Sequence, residues 1–150
     1  MNLDLLVLVD NNAERPELRH EHGLSMLLKK QGKTVLFDTA STGDALIANA
    51  ERLGEDLRSI DAAVISHGHY DHTGGLAQLV DGCDDLDIYA HPSAFSRRWS
   101  DRPGQSLKDV SCPHSLEKLA EAGAVFHAVK APERVMDWLV LSGPVGGPRN

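Results

Sequence analysis

The stretch that most restricts what this chain can become is Ala62-Ala63-Val64-Ile65-Ser66 running directly into His67-Gly68-His69-Tyr70-Asp71-His72-Thr73-Gly74-Gly75. A short apolar run bounded by turn-forming residues reads as a buried strand. This one delivers three imidazoles and a carboxylate at its mouth. Neutral histidine nitrogen and carboxylate oxygen suit zinc or a similar borderline metal. In an extended segment, side chains two apart point the same way, so His67 and His69 can hold one ion together. Asp71 and His72 follow where the chain turns toward a helix, which aims them at a neighbouring position. Gly68 leaves room for the turn, and Gly74-Gly75 lets the backbone come close to whatever is bound. A single histidine is more often a surface or core residue, and a histidine tract is often a tag. A tag sits at a terminus and lacks the preceding strand, the interleaved aspartate and the diglycine.

The rest of the chain alternates strand and helix patterns around this loop. Leu3 to Val9 reads as a first strand, apolar nearly throughout and expected to be covered on both faces. A loop containing Asp10, Asn11, Asn12 and Arg15-Pro16 follows, either as ordinary turn chemistry or as a segment reaching the metal pocket. Leu24 to Leu28 and Thr34 to Phe37 form a hairpin about Lys30-Gln31-Gly32-Lys33. Glu21 and His22 are candidates to support the site or face substrate, or they are a solvated strand end. Asp38 closes a buried strand, and a carboxylate there needs donors.

Ser41 to Leu53 reads as a helix with Ser41 or Thr42 as N-cap and Gly54 at its exit. Ala62 to Ile65 is the strand that carries the histidines. Thr73 is placed as cap of a helix packing Leu76, Leu79 and Val80 inward, whose amides offer a seat for an anion. Leu86 to Ala90 is a strand ending in His91-Pro92, with a short helix around Ser93 to Trp99. His91 is a candidate extra ligand or substrate contact. Leu116 to Ala122 is a helix capped by Ser115, Val125 to Val129 a strand, and Asp137 to Ser142 the last strand. His114 and His127 read as structural, and the tail from Gly143 to Asn150 as irregular.

Bulk properties narrow the function. A chain of 150 residues with 41% hydrophobic content supports one domain spanning residues 1–150. The net charge of −7 and the absence of a basic block argue against nucleic acid as a partner. Cys83 and Cys112 are too far apart for a Cys-x-x-Cys, so free thiols are expected. The apolar start is too short and lacks the basic residues of a signal peptide, and no run reaches membrane-spanning length. The expectation is a soluble, cytoplasmic protein with no membrane partner.

The segment Ile60 to Leu76 resembles the signature of the metallo-β-lactamase superfamily. The fold implied is α/β: the N-terminal half of an αβ/βα sandwich, a mixed sheet with helices packed on one face. In the resemblance His67 and His69 bind a first metal, Asp71 and His72 a second, and Asp38 supports the histidine loop. Ala40 stands where the family usually has glycine. Zinc is the implied cofactor, two ions per complete site, with manganese or iron as alternatives. The implied activity is hydrolysis by metal-activated water, with Asp71 also accepting or orienting the water's proton. His69 disfavours the diiron flavoprotein branch, and His72 the zinc β-lactamases that lack it. The ribonuclease-like branch shares the motif, but the acidic balance speaks against RNA.

Six further segments sharpen the likeness: Val7 to Asn11, Glu21 to Ser25, Leu36 to Thr39, Tyr89 to Pro92, Leu141 to Gly143 and Pro148-Arg149. Together they are similar to the dihydropterin-methyl-ribofuranosylaminobenzene-phosphate synthase-like branch, implying a small substrate bearing phosphate or a pterin. Members of that branch continue further, supplying another histidine for the first metal, a bridging aspartate and a last histidine. Two imidazoles alone leave zinc two ligands short of its usual four. Weak metal binding is therefore expected of an isolated monomer. Self-association, or pairing with a chain carrying the C-terminal half, is expected to complete it. The alternative is a half-domain without catalysis of its own.

Overall fold

The computed structural model describes residues 2–146, so Pro148-Arg149 and the last four residues of the expected tail lie outside the described residues. Three antiparallel strands begin the chain: β1 (Asp4–Val9), β2 (Ser25–Lys30) and β3 (Lys33–Phe37). The β2–β3 connection is two residues, Gln31 and Gly32, with φ of 56° and 74°. Positive φ at both positions is what the tightest right-twisted hairpin turn demands, and glycine meets it without steric cost.

Past β3 the pairing turns parallel. Helix α1 (Gly43–Leu53) leads to β4 (Ala62–Val64). Then come α2 (Tyr70–Thr73), α3 (Leu76–Asp81) and β5 (Leu86–Ala90). A 3-10 turn at Pro92–Phe95 and a small antiparallel pair, β6 (Trp99–Ser100) with β7 (Lys108–Asp109), precede α4 (Leu116–Glu121) and β8 (Ala124–Ala128). The sheet order is β1-β2-β3-β4-β5-β8. Each parallel crossover steps one strand in the same direction. Right-handed connections therefore drop all three crossover helices on one face. The carboxyl ends of β3, β4 and β5, with the loops that follow them, gather at one edge of the sheet.

Alternation within the strands builds the core. Leu27, Leu36, Ala63, Ile65 and Ile88 face the helices and meet Leu46 and Ala50 of α1, Leu76, Leu79 and Val80 of α3, and Leu119 of α4. Each fully buried Leu, Ile or Val contributes roughly 1.5–3 kcal/mol. The opposite face is also apolar. Pairing sets Val7, Met26, Phe37, Val64 and Tyr89 in one row, with Leu5, Leu28 and Val35 in the next. The expectation that the first strand is covered on both faces fails: β1 is an edge strand, and Leu5 and Val7 are 55% and 42% exposed.

Other boundaries move as well. The helix expected over Ser93 to Trp99 shrinks to the 3-10 turn, because Ser96 takes up extended backbone and Trp99 pairs with Asp109. The last strand shortens to β10 (Leu139–Leu141) and pairs with β9 (Glu133–Met136) in a separate hairpin. That hairpin leans over the second sheet face, with a cavity of about 590 Å³ beneath it. Among the described residues, no helix is long and apolar enough to cross a membrane.

Candidate metal centre

The centre is organised from Asp38, the residue that leaves β3. It is fully buried, its φ is +57°, and its amide bonds the Val64 carbonyl at 2.9 Å. Its carboxylate accepts from the Ser66 amide at 2.8 Å and the Ser66 hydroxyl at 2.6 Å, and stands 2.7 Å from His72 Nδ1. A carboxylate only accepts, so His72 Nδ1 carries the proton and donates it. The Ser66 hydroxyl spends its own proton on Asp38, so at 2.9 Å it accepts from His67 Nδ1. Both rings are thereby held with Nε2 as the free lone pair. That is how an outer hydrogen bond prepares histidine for a metal.

The other rings close in around these two. The His67 ring lies 4.5 Å from His69 and 4.1 Å from His72, centroid to centroid. Asp71 is nearly buried, its Oδ2 3.5 Å from His72 Nε2 and 3.1 Å from His22 Nε2. Burial lowers the His67 pKa, helped by the neighbouring His72 and His69 and opposed by Asp38 and Asp71. His72 is shifted upward, chiefly by its bond to Asp38, against the cost of burial.

Backbone contacts fix the loop in place. Leu24 donates to the Asp71 carbonyl and Thr39 to that of His72. The Thr73 hydroxyl bonds the His69 carbonyl instead of capping the next helix, which starts from Gly75. With only six residues, α3 gives no basis for the anion seat expected at its start. A methyl on Gly74 would lie 1.9 Å from the Ser41 carbonyl oxygen, and one on Gly68 the same distance from that of Ala94. His114 donates through Nε2 to the Gly74 carbonyl at 2.9 Å, a structural role as expected. His127 likewise sits in a sheet contact, 2.7 Å from Asp87 and stacked on Tyr89. Above the loop, the β6–β7 pair is tied down by Tyr70 N to Val110 O and by a bridge between His69 and Ser111.

The fold brings His67, His69, Asp71, His72, Asp38 and His22 together. The His91 Nδ1 bonds Ser93 and caps the 3-10 turn. The Asn11 side-chain oxygen accepts from Gly23 N at 2.9 Å, so the early loop braces the glycine that packs against the Asp71 backbone. Glu21 bonds the amides of Ser41 and Thr42, securing the start of α1. Sequence reading gave no signal for Lys108, whose amine stands over the Tyr70 ring. The cluster suits a divalent metal in donor type and tautomer. Among the described residues, however, no group of three His, Cys, Asp or Glu side chains is arranged to hold an ion. Asp71 is engaged by His22, and His72 by Asp38.

The profile of the metallo-beta-lactamase superfamily matches residues 18–134. The chain is 29% identical over 130 residues to 7,8-dihydropterin-6-methyl-4-(beta-D-ribofuranosyl)-aminobenzene-5'-phosphate synthase of Methanocaldococcus jannaschii, covering 83% of this chain and 44% of that protein. It is also 35% identical over 80 residues to ribonuclease Z of Treponema pallidum, covering 53% of this chain and 24% of that protein. Among solved structures, a metal-dependent hydrolase of the β-lactamase superfamily superposes with TM-score 0.75 at 25% identity, covering 97% of this chain and 49% of that one. A diphosphatase of the PhnP family shares the fold at TM-score 0.54 and 21% identity, covering 89% and 54%. The chain spans about half the length of the first relatives it matches.

Proposed function

Because the chain belongs to the metallo-β-lactamase superfamily, we propose that it serves a metal-dependent hydrolase in which His67 and His69 hold one ion and Asp71 and His72 a second. The observation that carries this reading is the Asp38–Ser66–His67 and Asp38–His72 relay. It spends a buried carboxylate on fixing two imidazoles with Nε2 unprotonated. Zinc suits the nitrogen and oxygen donors best, with manganese or iron as alternatives. A divalent ion supplies Lewis acidity there, making water a better nucleophile near neutral pH and drawing charge from the oxygen of the scissile bond.

The chain's own residues do the positioning. Asp38 holds the His72 ring and Ser66 holds His67, and in this reading the Asp71 carboxylate accepts a proton from attacking water. A small substrate bearing phosphate or a pterin is favoured by the name of the Methanocaldococcus jannaschii relative. A second reading is a half-site completed by another copy or by a complementing chain, with no turnover alone. Its support is the exposed apolar pair Leu5 and Val7 on the edge strand and the lack of a three-donor set among the described residues.

Elemental analysis alongside the mass in solution tests both readings. About two ions per active unit supports the hydrolase, and a metal-free monomer counts against it. A hydrolysis screen with zinc, manganese or iron then compares the parent with His69→Ala and Asp71→Ala. Loss of activity in both variants is expected, and equal activity in all three eliminates the proposed site.

A further inference from the structure

The six-stranded sheet ends at β1 on one side and β8 on the other, and the two edges are built differently. An edge strand offers unpaired amides and carbonyls to any second strand, and soluble proteins blunt such edges with polar or charged residues, proline, bulges or a covering segment. On β8 the polar pair His127–Asp87 stands at the edge, and Lys130 and Pro132 follow shortly after. On β1 five of six residues are apolar, and the sixth is Asp4. Its carboxyl end is closed: the register shifts between Val7 and Val9, and the Leu8 carbonyl accepts from the Asn49 side-chain amide at 2.7 Å. Its amino end is open. Among the described residues, Leu3 to Val7 make no backbone hydrogen bond outside the ladder with β2. Leu3 is 49% exposed, and the exposed Leu5 and Val7 share its side of the strand, whereas Leu8 and Val9 are buried.

We propose that this open stretch is a contact between two copies of the chain: β1 of one pairs antiparallel with β1 of the other about a two-fold axis, joining the sheets edge to edge. A second copy is the occupant because the stretch is complementary to itself in one register. Two-fold antiparallel pairing keeps every side chain on its own face only when the numbers of opposed residues add to an even total. A total of eight sets Asp4 against Asp4, two like charges face to face. A total of twelve carries Leu3 onto Val9, past the register shift at the closed end. A total of ten remains: Leu5 meets Leu5 of the second copy, Leu3 meets Val7, and Asp4 meets Leu6. The exposed apolar side chains of each copy then lie against those of the other, and Asp4 keeps Lys29 beside it on β2. The contact rests neither on the hydrolase reading nor on a half-site completed across copies, since β2 separates it from β3, the strand that leads to Asp38.

Analytical ultracentrifugation of the whole chain, with chelator and reductant present, tests it. The parent is expected to dimerise, and Leu5→Lys or Leu5→Glu to weaken the dimer about a hundredfold by exchanging an apolar pair for opposed like charges. Because Leu5 faces its own copy, an equimolar mixture of the two variants restores the dimer. Val125→Lys on β8 and Val140→Lys on the β9–β10 hairpin leave it unchanged. Disulfide trapping without reductant reads the register, with the parent and its free Cys83 and Cys112 run alongside. Leu5→Cys is expected to link to itself, and Leu3→Cys and Val7→Cys to link to each other but not to themselves. A parent that stays monomeric overturns the proposal, as does a dimer that survives Leu5→Lys or a mixture that fails to associate. Zinc analysis of chelator-free samples separates the ideas: zinc uptake that persists when Leu5→Lys breaks the dimer leaves this contact standing and shows that the centre is not completed across it.

Discussion

Replacing Asp38 by Asn isolates the residue that sets the whole cluster. Asparagine has the same shape and tolerates the positive φ of 57°, so the change acts through hydrogen bonding and charge. One side-chain oxygen keeps the Ser66 amide at 2.8 Å. The other oxygen, which takes both the Ser66 hydroxyl and His72 Nδ1, becomes an NH2 group facing two donors. Each bond to a charged acceptor is worth about 1.5–3 kcal/mol and each neutral one about 0.5–1.5 kcal/mol. Ser66 can rotate its hydroxyl, and His72 can move its proton to Nε2. Two charged bonds are then exchanged for two neutral ones, a loss of roughly 2–3 kcal/mol. That recovery puts the proton on the nitrogen needed for metal.

The pH dependence has a definite sign. Asp38 raises the pKa of His72 in the folded protein. A group raised on folding contributes stability that is fully present below its unfolded value, about 6.5, and is lost as pH rises through the folded value. The gap between parent and Asp38→Asn is therefore widest near pH 5 and narrows by pH 8. Urea unfolding with chelator present reads the stability, and long-range 15N–1H spectra read the His72 tautomer. A loss below about 0.5 kcal/mol at pH 5, with the His72 proton still on Nδ1, refutes the reasoning.

Two other substitutions probe the frame around the cluster. Gly74→Ala sets a methyl 1.9 Å from the Ser41 carbonyl oxygen, backbone that cannot step aside; a loss of about 1–3 kcal/mol is expected in urea unfolding. Asp61 lies at the far end of the sheet. Against a burial cost that raises its pKa, the bond from Lys33, the Thr34 amide and the Lys33 charge together hold its carboxyl below the usual value. A lowered carboxyl contributes stability above its unfolded value, lost as pH falls through the folded one. Asp61→Asn keeps an acceptor for Thr34, so it costs only about 0.5–1 kcal/mol at pH 7 for this partly exposed pair. The difference from the parent closes below about pH 4.

The histidine strand was legible because β4 is a short apolar run ending in a dense set of donors. Asp38 was legible for a similar reason: a carboxylate leaving a buried strand must find partners, and the fold supplies Ser66 and His72. Glu21 was not, since the amides it bonds lie twenty residues away and nothing local points to them. The β6–β7 pair escaped because each strand is two residues long, too short for any period to show. Lys108 shared that fate. For His91 the sequence shows only that it leaves a parallel strand at the right edge; it does not show what holds the ring. The adjacent Pro92-Ser93 turn claims its ring.

Thr39 is flanked by two residues, Asp38 and Ala40, that both carry left-handed backbone without being glycine. Together they cost roughly 2–3 kcal/mol, borne by the surrounding packing. The peptide that presents the relay is thus a loaded segment, clamped by the amides of Asp38, Thr39 and Ala40 bonding Val64, His72 and Leu24. A change that loosens one of those three clamps reaches both imidazoles through the single carboxylate they share.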